Sequence, residues 1–408
     1  MNYKAIDTFN DWTKDEKDQF TVSVIKGLII DGVGKANSGH PGGPMSLADF
    51  SYILYSEYLI FDSDNPDCQS RDRFVLSAGH TCMLLYTLLY LSDILTMKDL
   101  KEFRQLHSRT PGHPEIETPG VDANTGPLGQ GVGMATGMAL AERMLSKESK
   151  KDRKQYTYVL VGDGDLQEPI SLGVATLAGH WKLSQLIMFY DKNDIQIAGK
   201  TSRCDSTNYG DLFKSMNWDV QEIDGHDHGA IRKAIENAQA SDLPSIIIGN
   251  TTIAKGSATL ENTSQSHGAP FSPEEIVGTK QNLGLPEDES FYCPAEVKEY
   301  FQRNFHSIKE LISTSNKTDN NAFDISSELK KIELVDFDPT EVIATRKAFG
   351  MSLDKFSSHI PTIVGGSADL DGSNCTTNFV NTYGDCLLYT SDAADDSLRV
   401  DLGGRRII

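Results

Sequence analysis

The chain has 408 residues, of which 58 are acidic and 38 basic, giving a formal net charge of −20. This length can bury a large core and exceeds one typical domain, whereas the negative charge argues against nucleic acid and anionic membrane surfaces as partners. The six cysteines lack C-x-x-C spacing and the first 20 residues carry no basic segment followed by an apolar one, so we expect a reducing, cytoplasmic location without a secretory signal.

The first predicted element is a helix. Apolar residues recur at helical spacing over residues 17–30, and the glycines within residues 32–34 are expected to end the helix. Residues 38–44 then form a loop rich in Gly and Pro that presents His40, and a second helix is predicted over residues 46–58. A histidine in a polar loop is commonly only solvated, so this segment alone gives His40 no role.

Two further histidines lie in turns framed by Gly or Pro. His80 follows a short predicted strand over residues 74–76 and precedes an apolar core helix, residues 83–91, that is too short to span a bilayer. His113 lies in the turn formed by residues 110–114. Zinc is one alternative to solvated histidines, but the spacings of 40 and 33 residues match no compact zinc motif.

A Gly-rich loop at residues 126–131 precedes a predicted helix of small residues over 132–143. The loop begins with Gly126, Pro127 and Leu128. Main-chain amides at such a helix start can bind a diphosphate. The alternative is a tight helix-packing turn without a ligand.

The next segment has the pattern of a βαβ unit. An apolar strand is predicted over residues 156–161, and it ends at the Gly-Asp-Gly turn of residues 162–164. A helix is predicted from Pro169, and a second apolar strand over residues 183–190 leads to Asn193. A right-handed crossover makes the two strands parallel, so both of their ends lie at one edge of the sheet.

Asp163, Asn193 and the main-chain carbonyl of Ile195 therefore supply hard oxygen ligands, enough for half of an octahedral Mg²⁺ shell. Water and a diphosphate would complete that shell. Gly162 and Gly164 would let a phosphate approach the backbone, and the following helix N-terminus favours its negative charge. Taken alone, Gly-Asp-Gly also describes an ordinary strand-to-helix turn with an exposed aspartate.

In their order along the chain, these motifs resemble those of the transketolase family. The resemblance covers residues 15 to about 380. It rests on Ser38-Gly39-His40-Pro41-Gly42, Arg71-Asp72-Arg73-Phe74, Ser77-Ala78-Gly79-His80, Thr110-Pro111-Gly112-His113-Pro114-Glu115, residues 126–131, the unit from Gly162 to Asn193, Ile223-Asp224-Gly225-His226-Asp227, Thr251-Thr252-Ile253, Lys255-Gly256-Ser257 and Ser266-His267-Gly268-Ala269-Pro270.

The resemblance implies an α/β fold in which a parallel sheet flanked by helices binds thiamine diphosphate, plus the start of a second α/β domain. The expected organisation is a pyrophosphate-binding domain at residues 1–313, a polar linker at 314–338, the start of a pyrimidine-binding domain at 339–384, and a tail at 385–408 that does not match the family. A strand is also expected at residues 362–364.

The resemblance further implies ketol transfer: a two-carbon unit passes from a ketose phosphate to an aldose phosphate, as in the pentose phosphate pathway. Thiamine diphosphate and Mg²⁺, or Ca²⁺ or Mn²⁺ in its place, are the expected cofactors, in a homodimer. The metal would be held by Asp163, Asn193 and Ile195. The implied cofactor-binding residues are His80, Gly126, Pro127, Leu128, Gly162, Asp163, Gly164, Glu168 at the acidic subunit interface, Asn193, His267 and, from the partner subunit, Asp369.

The implied catalytic residues are His40, His80, His113 and His267, and imidazole suits proton transfer near neutral pH. His40, His113 and His267 would also contact the substrate, and Arg346 and Ser373 would bind its phosphate.

Some features depart from the family pattern. Asp165 and Pro169 occupy positions that usually hold smaller residues, and Lys192 and Lys255 are also unusual. The family's glutamate that protonates the aminopyrimidine matches no residue of this chain, so we expect the chain to be nearly inactive alone. The alternatives are a related ketolase such as dihydroxyacetone synthase, or a catalytically silent or split cofactor-binding subunit.

Overall fold

The computed structural model describes residues 6–149, 153–315, 325–360, 363, 365, 367 and 370–383. The chain divides into two compact units, residues 1–320 and 321–408. No helix in the described part of the chain combines the length and apolar character that a membrane span requires.

The first unit is built on a five-stranded sheet. The strands of this unit are β1 (Arg73–Leu76), β2 (Thr157–Gly162), β3 (Leu186–Lys192), β4 (Ile195–Gln196), β5 (Gly199–Lys200), β6 (Asp219–Asp224) and β7 (Ser245–Asn250). The main sheet has the order β1-β2-β3-β7-β6 and all its neighbouring pairs are parallel, while β4 and β5 form a small antiparallel pair. The fold class predicted from the sequence is confirmed.

Helices cover both faces of this sheet. The helices of the first unit are, in chain order, α1 (Lys14–Ala36), α2 (Gly42–Ser46), α3 (Ala48–Ile53), α4 (Cys82–Leu91), α5 (Met97–Lys101), α6 (Gln130–Ser149), α7 (Asp163–Gln167), α8 (Pro169–His180), α9 (Tyr209–Ser215), α10 (His228–Ala240), α11 (Pro273–Leu283), α12 (Ala295–Phe301) and α13 (Phe305–Ser315). The second unit contains α14 (Ile325–Leu329), α15 (Thr345–Ser357), α16 (Asp371–Asn374) and α17 (Thr377–Tyr383).

The alternation of side chains along β2 divides the core into two layers. Tyr158 and Leu160 belong to the apolar cluster that includes α1, α3, α4 and α10, whereas Val159 and Val161 belong to the cluster that includes α6, α8 and α9. Because both faces are covered, the central strands are apolar along nearly their whole length, as parallel strands are. This burial explains why β2 and β3 were recognisable in the sequence.

Two helix predictions were wrong in detail. α1 continues through both glycines to Ala36, and Asn37 ends it in a left-handed conformation. An added Cβ on Gly32 would lie 2.3 Å from Met83 Cε, and one on Gly34 would lie 2.8 Å from Ile276 Cδ1. These glycines therefore permit close helix packing rather than a helix end.

The helix predicted over residues 46–58 is instead divided. α2 begins at Gly42, inside the predicted loop, and a π-helical turn at Leu54–Tyr58 follows α3.

In the second unit α15 packs on α16 and α17. Gly350 of α15 is buried at this contact. A side chain would not fit there, because an added Cβ would lie 2.4 Å from the Cys375 carbonyl oxygen. The strand expected at residues 362–364 falls largely outside the described residues, and so do Asp369 and the tail at 385–408. The predicted domain boundaries stay predictions.

Candidate functional site

The residues predicted to bind a metal lie at the carboxyl edge of the sheet. β2 and β3 are neighbouring parallel strands, with Gly162 opposite Asp191. Asp163 therefore begins α7 directly beyond β2, and Asn193 follows β3. Both residues line a cavity of about 740 Å³, together with Ile195.

Asp163 is an unusual carboxylate because it is buried and only half satisfied. The Tyr190 hydroxyl donates to Oδ1 at 2.6 Å, whereas Oδ2 has no hydrogen-bond partner. Burial, assisted by the nearby charges of Asp191 and Asp194, raises the Asp163 pKa to about 7. A buried anionic oxygen is costly unless it is paired, so this site fits a bound cation.

The Asn193 amide is oriented by Asp191, which sequence reasoning did not single out. Asn193 Nδ2 donates to Asp191 Oδ2 at 2.8 Å, and the Asn193 Oδ1 accepts from the Ile195 amide at 3.0 Å. Asp191 also accepts from Ser46 Oγ at 2.7 Å and from the Thr251 hydroxyl. The hydrogen bond to Asp191 fixes the orientation of the Asn193 amide, and Oδ1 keeps a second lone pair that could bind a cation.

Three of the four predicted catalytic histidines form a cluster. The ring centroids of His40 and His80 are 4.9 Å apart, those of His80 and His267 are 5.4 Å apart, and those of His40 and His267 are 5.8 Å apart. Close backbone packing produces this cluster: an added Cβ on Gly42 would lie 2.5 Å from the Ser266 carbonyl oxygen. The fourth histidine, His113, lies beside Gly126, whose added Cβ would be 3.3 Å from the ring.

All four histidines have lowered pKa values. Burial, together with the neighbouring rings, lowers the pKa of His40 to about 4 and that of His80 to about 3. Burial also lowers the pKa of His113 and of His267, and a hydrogen bond with the Ile195 backbone opposes the shift at His267. The Nδ1 atoms of His40 and His267 are buried without hydrogen-bond partners. The cluster therefore holds neutral imidazoles at neutral pH, with unused ring nitrogens.

Asp165 connects the Gly-rich loop to the carboxyl edge of the sheet. This buried carboxylate accepts from the Gly129 amide at 2.8 Å, from Ser77 Oγ at 2.6 Å and from the Gly162 amide at 3.0 Å. Leu128 packs over Gly164, where an added Cβ would lie 2.8 Å from Leu128 Cδ1. Asp165, noted in the sequence as a departure, thus connects β1, β2 and the Gly-rich loop.

Arg104 is a second residue that the sequence did not reveal. Its guanidinium donates to Ser38 Oγ at 2.8 Å and to the Gly112 carbonyl at 3.3 Å, so it links the loops of His40 and His113. Its charge also contributes to the lowered pKa values of both histidines. No local motif marks this arginine, because its partners are distant in the sequence.

Other predicted residues are exposed or belong to the second unit. Glu168 is exposed at the start of α8, with its Cβ next to Gly129. Pro127 is exposed in the Gly-rich loop. Arg346, at the start of α15, lines a cavity of about 700 Å³ within the second unit, and Ser373 is exposed on α16 of the same unit.

The doubly covered parallel sheet, with an aspartate, an asparagine and a Gly-rich loop at its carboxyl edge, defines a thiamine diphosphate-binding domain. A family model described as "Transketolase, thiamine diphosphate binding domain" matches residues 17–331. The chain belongs to the transketolase family.

Similar proteins span most of this chain. It is 40% identical to a transketolase from Halalkalibacterium halodurans over 385 residues, which cover 88% of this chain and 57% of the relative. It is 42% identical to a Bacillus subtilis transketolase, with the same two coverages. The chain thus spans somewhat more than half the length of these relatives.

Solved transketolase structures are also similar. The Campylobacter jejuni transketolase matches with a TM-score of 0.82 and 39% identity, covering 88% of this chain and 58% of the other. A Pichia stipitis transketolase in complex with sedoheptulose-7-phosphate matches with a TM-score of 0.82 and 35% identity, covering 91% of this chain and 59% of the other.

Proposed function

We propose that this chain takes part in ketol transfer from a ketose phosphate to an aldose phosphate, in the pentose phosphate pathway. The observation that carries the proposal is Asp163 Oδ2, which is buried without a partner beside Asn193. The cluster of His40, His80 and His267 lies in the same unit. The roles given to individual residues belong to this proposal, and the cytoplasmic location stays a prediction from the sequence.

We assign a divalent cation to Asp163 Oδ2, Asn193 Oδ1 and the carbonyl oxygen of Ile195. These are hard oxygen donors of the kind that Mg²⁺ prefers, and Ca²⁺ or Mn²⁺ can use the same set. The cation would neutralise the buried carboxylate and attract the diphosphate of the cofactor. Gly126, Pro127 and Leu128 of the Gly-rich loop would also bind the cofactor, and Gly162 and Gly164 would let its diphosphate approach the backbone closely.

When bound, thiamine diphosphate supplies the carbon nucleophile and the electron sink for ketol transfer. The histidines would accept and donate protons near the bound cofactor. Because their pKa values lie well below 7, His40 and His80 are neutral at neutral pH and can each accept a proton or a hydrogen bond. His40, His113 and His267 would hold substrate hydroxyls, and His80 and His267 would contact the cofactor.

The remaining roles concern the phosphate and a second subunit. Arg346 and Ser373 would bind the sugar phosphate, since a guanidinium can make bidentate contacts with it. A homodimer is proposed, with Glu168 at the interface and Asp369 reaching the partner's cofactor. Exposed apolar side chains on α6 and α8, Met134 and Ile170, support an interface on these helices.

The metal assignment is tested by isothermal titration calorimetry of thiamine diphosphate with and without Mg²⁺. Asp163→Asn removes the anionic ligand, and we expect it to abolish Mg²⁺-dependent binding. Asp205→Asn is the matched control, because Asp205 lines the same cavity but bonds to Tyr209. Equal binding by Asp163→Asn and the parent chain would refute the assignment, and so would a parent chain that does not bind.

The reaction is tested with xylulose 5-phosphate and an aldose phosphate acceptor, on the chain joined to the pyrimidine-binding and C-terminal regions of a similar transketolase, because the chain alone is expected to be nearly inactive. Turnover that requires both cofactors, and that is lost in Asp163→Asn, supports ketol transfer. Cofactor binding without turnover favours the cofactor-binding subunit instead. Sedimentation velocity tests the dimer, because cofactor bound at full affinity by a folded monomer contradicts a shared site.

A further inference from the structure

Tyr190 contacts Asp163, so the role derived for it below rests on the proposed metal site. Tyr190 lies near the end of β3 and is 3% exposed, with its side chain in the layer of α6, α8 and α9. Its hydroxyl reaches across to the neighbouring strand end and donates to Asp163 Oδ1 at 2.6 Å. Asp163, the proposed metal ligand, thus accepts a hydrogen bond from the buried phenol of Tyr190.

The position of this phenol is fixed by its surroundings. The Tyr209 ring packs edge-on against the Tyr190 ring, with centroids 5.7 Å apart and an interplanar angle of 76°. The Tyr209 ring is itself buried and is held by packing, and its hydroxyl donates to Asp205 Oδ2 at 2.7 Å rather than to Asp163. Because closely packed aromatic side chains have little freedom to change rotamer, the Tyr190 hydroxyl is presented to Asp163 in one orientation.

This contact makes the two oxygens of the Asp163 carboxylate different. A free carboxylate can present either oxygen, or both, to a cation. Here Oδ1 accepts from the phenol, while Oδ2 is buried and has no partner. We propose that Tyr190 is a positioning residue: by holding Oδ1, its hydroxyl fixes the orientation of the Asp163 carboxylate and keeps Oδ2 available to the divalent cation.

The experiment compares Tyr190→Phe with Tyr209→Phe. Each substitution removes one hydroxyl from a buried tyrosine and keeps the ring that fills the core. Only the first hydroxyl contacts Asp163, whereas the second contacts Asp205. Mn²⁺ is the probe, and its binding to the full chain is followed by electron paramagnetic resonance at saturating thiamine diphosphate.

We expect the half-saturating Mn²⁺ concentration to rise about 10–100-fold in Tyr190→Phe, the range typical for loss of a residue that supports a metal ligand. Tyr209→Phe should stay within about twofold of the parent chain. At saturating Mn²⁺ the affinity of Tyr190→Phe for thiamine diphosphate should return to near the parent value. A residue that only stabilises the fold would lower the thermal midpoint without shifting this Mn²⁺ dependence.

Equal Mn²⁺ half-saturation in the two variants would overturn the role of Tyr190 while leaving the metal site in place. Loss of the fold in Tyr190→Phe alone, seen by circular dichroism, would also overturn it by making the residue structural. A parent chain that shows no Mn²⁺-dependent binding would instead overturn the proposed metal site itself. The failure of the inference and that of the proposed function are therefore distinguishable.

Discussion

Replacing Gly42 by alanine should disturb the histidine cluster by a steric route. The added Cβ would lie 2.5 Å from the Ser266 carbonyl oxygen and 2.8 Å from Ile253 Cγ1. The backbones of the His40 and His267 loops would have to separate by about half an ångström to relieve this clash. Gly42 is two residues from His40 and Ser266 adjoins His267, so the 5.8 Å separation of the two rings would change as well.

This displacement should lower both the stability of the chain and its affinity for the cofactor. Forcing one carbon into a packed region lowers the free energy of unfolding by about 1–3 kcal/mol. Movement of positioned side chains by a fraction of an ångström should also weaken thiamine diphosphate binding by about tenfold. Thermal unfolding and calorimetry with Mg²⁺ measure these two effects separately.

Gly173→Ala is the matched control, because an added Cβ there meets no atom within 4 Å. Gly173 is an exposed position of α8, so this change should leave binding intact and leave the unfolding free energy unchanged or higher by about 0.5–1 kcal/mol. Identical stability and affinity in Gly42→Ala and Gly173→Ala would refute the reasoning, since they would show that the two loops separate without consequence.

Three other predictions concern buried polar groups. Asp165→Ala leaves three donors without an acceptor and should lower the free energy of unfolding by about 3–5 kcal/mol, measured by urea unfolding; a loss under about 1 kcal/mol would contradict it. Lys280→Met should lower the free energy of unfolding by about 3–5 kcal/mol, because it leaves Asp31, the buried ion-pair partner of Lys280 at 2.8 Å, without a counter-charge. Combining Lys280→Met with Asp31→Leu should recover most of this loss. The pKa of His80 is about 3 in the folded chain, so its imidazole stays neutral there, whereas in the unfolded chain it takes up a proton near pH 6.5. The free energy of unfolding of the cofactor-free chain should therefore fall as the pH is lowered from 7 to 5. Calorimetric scans should show a smaller fall for His80→Asn, and an equal dependence of stability on pH in both chains would argue against this account.

The sequence alone determined the elements whose cause is local. The strands β2, β3 and β7 are runs of apolar residues because both faces of a parallel sheet are buried, and that pattern is visible without coordinates. Turns framed by Gly and Pro marked the loops of His40, His80 and His113. Their order along the chain was sufficient to identify the family.

The glycines show where local reasoning stops. A glycine near the end of an apolar helical pattern can end the helix or allow a close neighbour, and both uses require the same missing Cβ. Gly32 allows a close neighbour and does not end the helix, because Met83 of α4 packs against it. The sequence does not record which helix will be the neighbour.

Only the tertiary structure decided how the site is held together. Asp191 meets Ser46, which lies 145 residues earlier, and Asp165 meets Ser77, which lies 88 residues earlier. Such contacts depend on how the helices pack on the sheet and leave no periodic signal in the chain. The same holds for Tyr190, which in the sequence looks like one more apolar residue of β3. Only the fold places its hydroxyl against the Asp163 carboxylate, just beyond the end of the neighbouring strand β2.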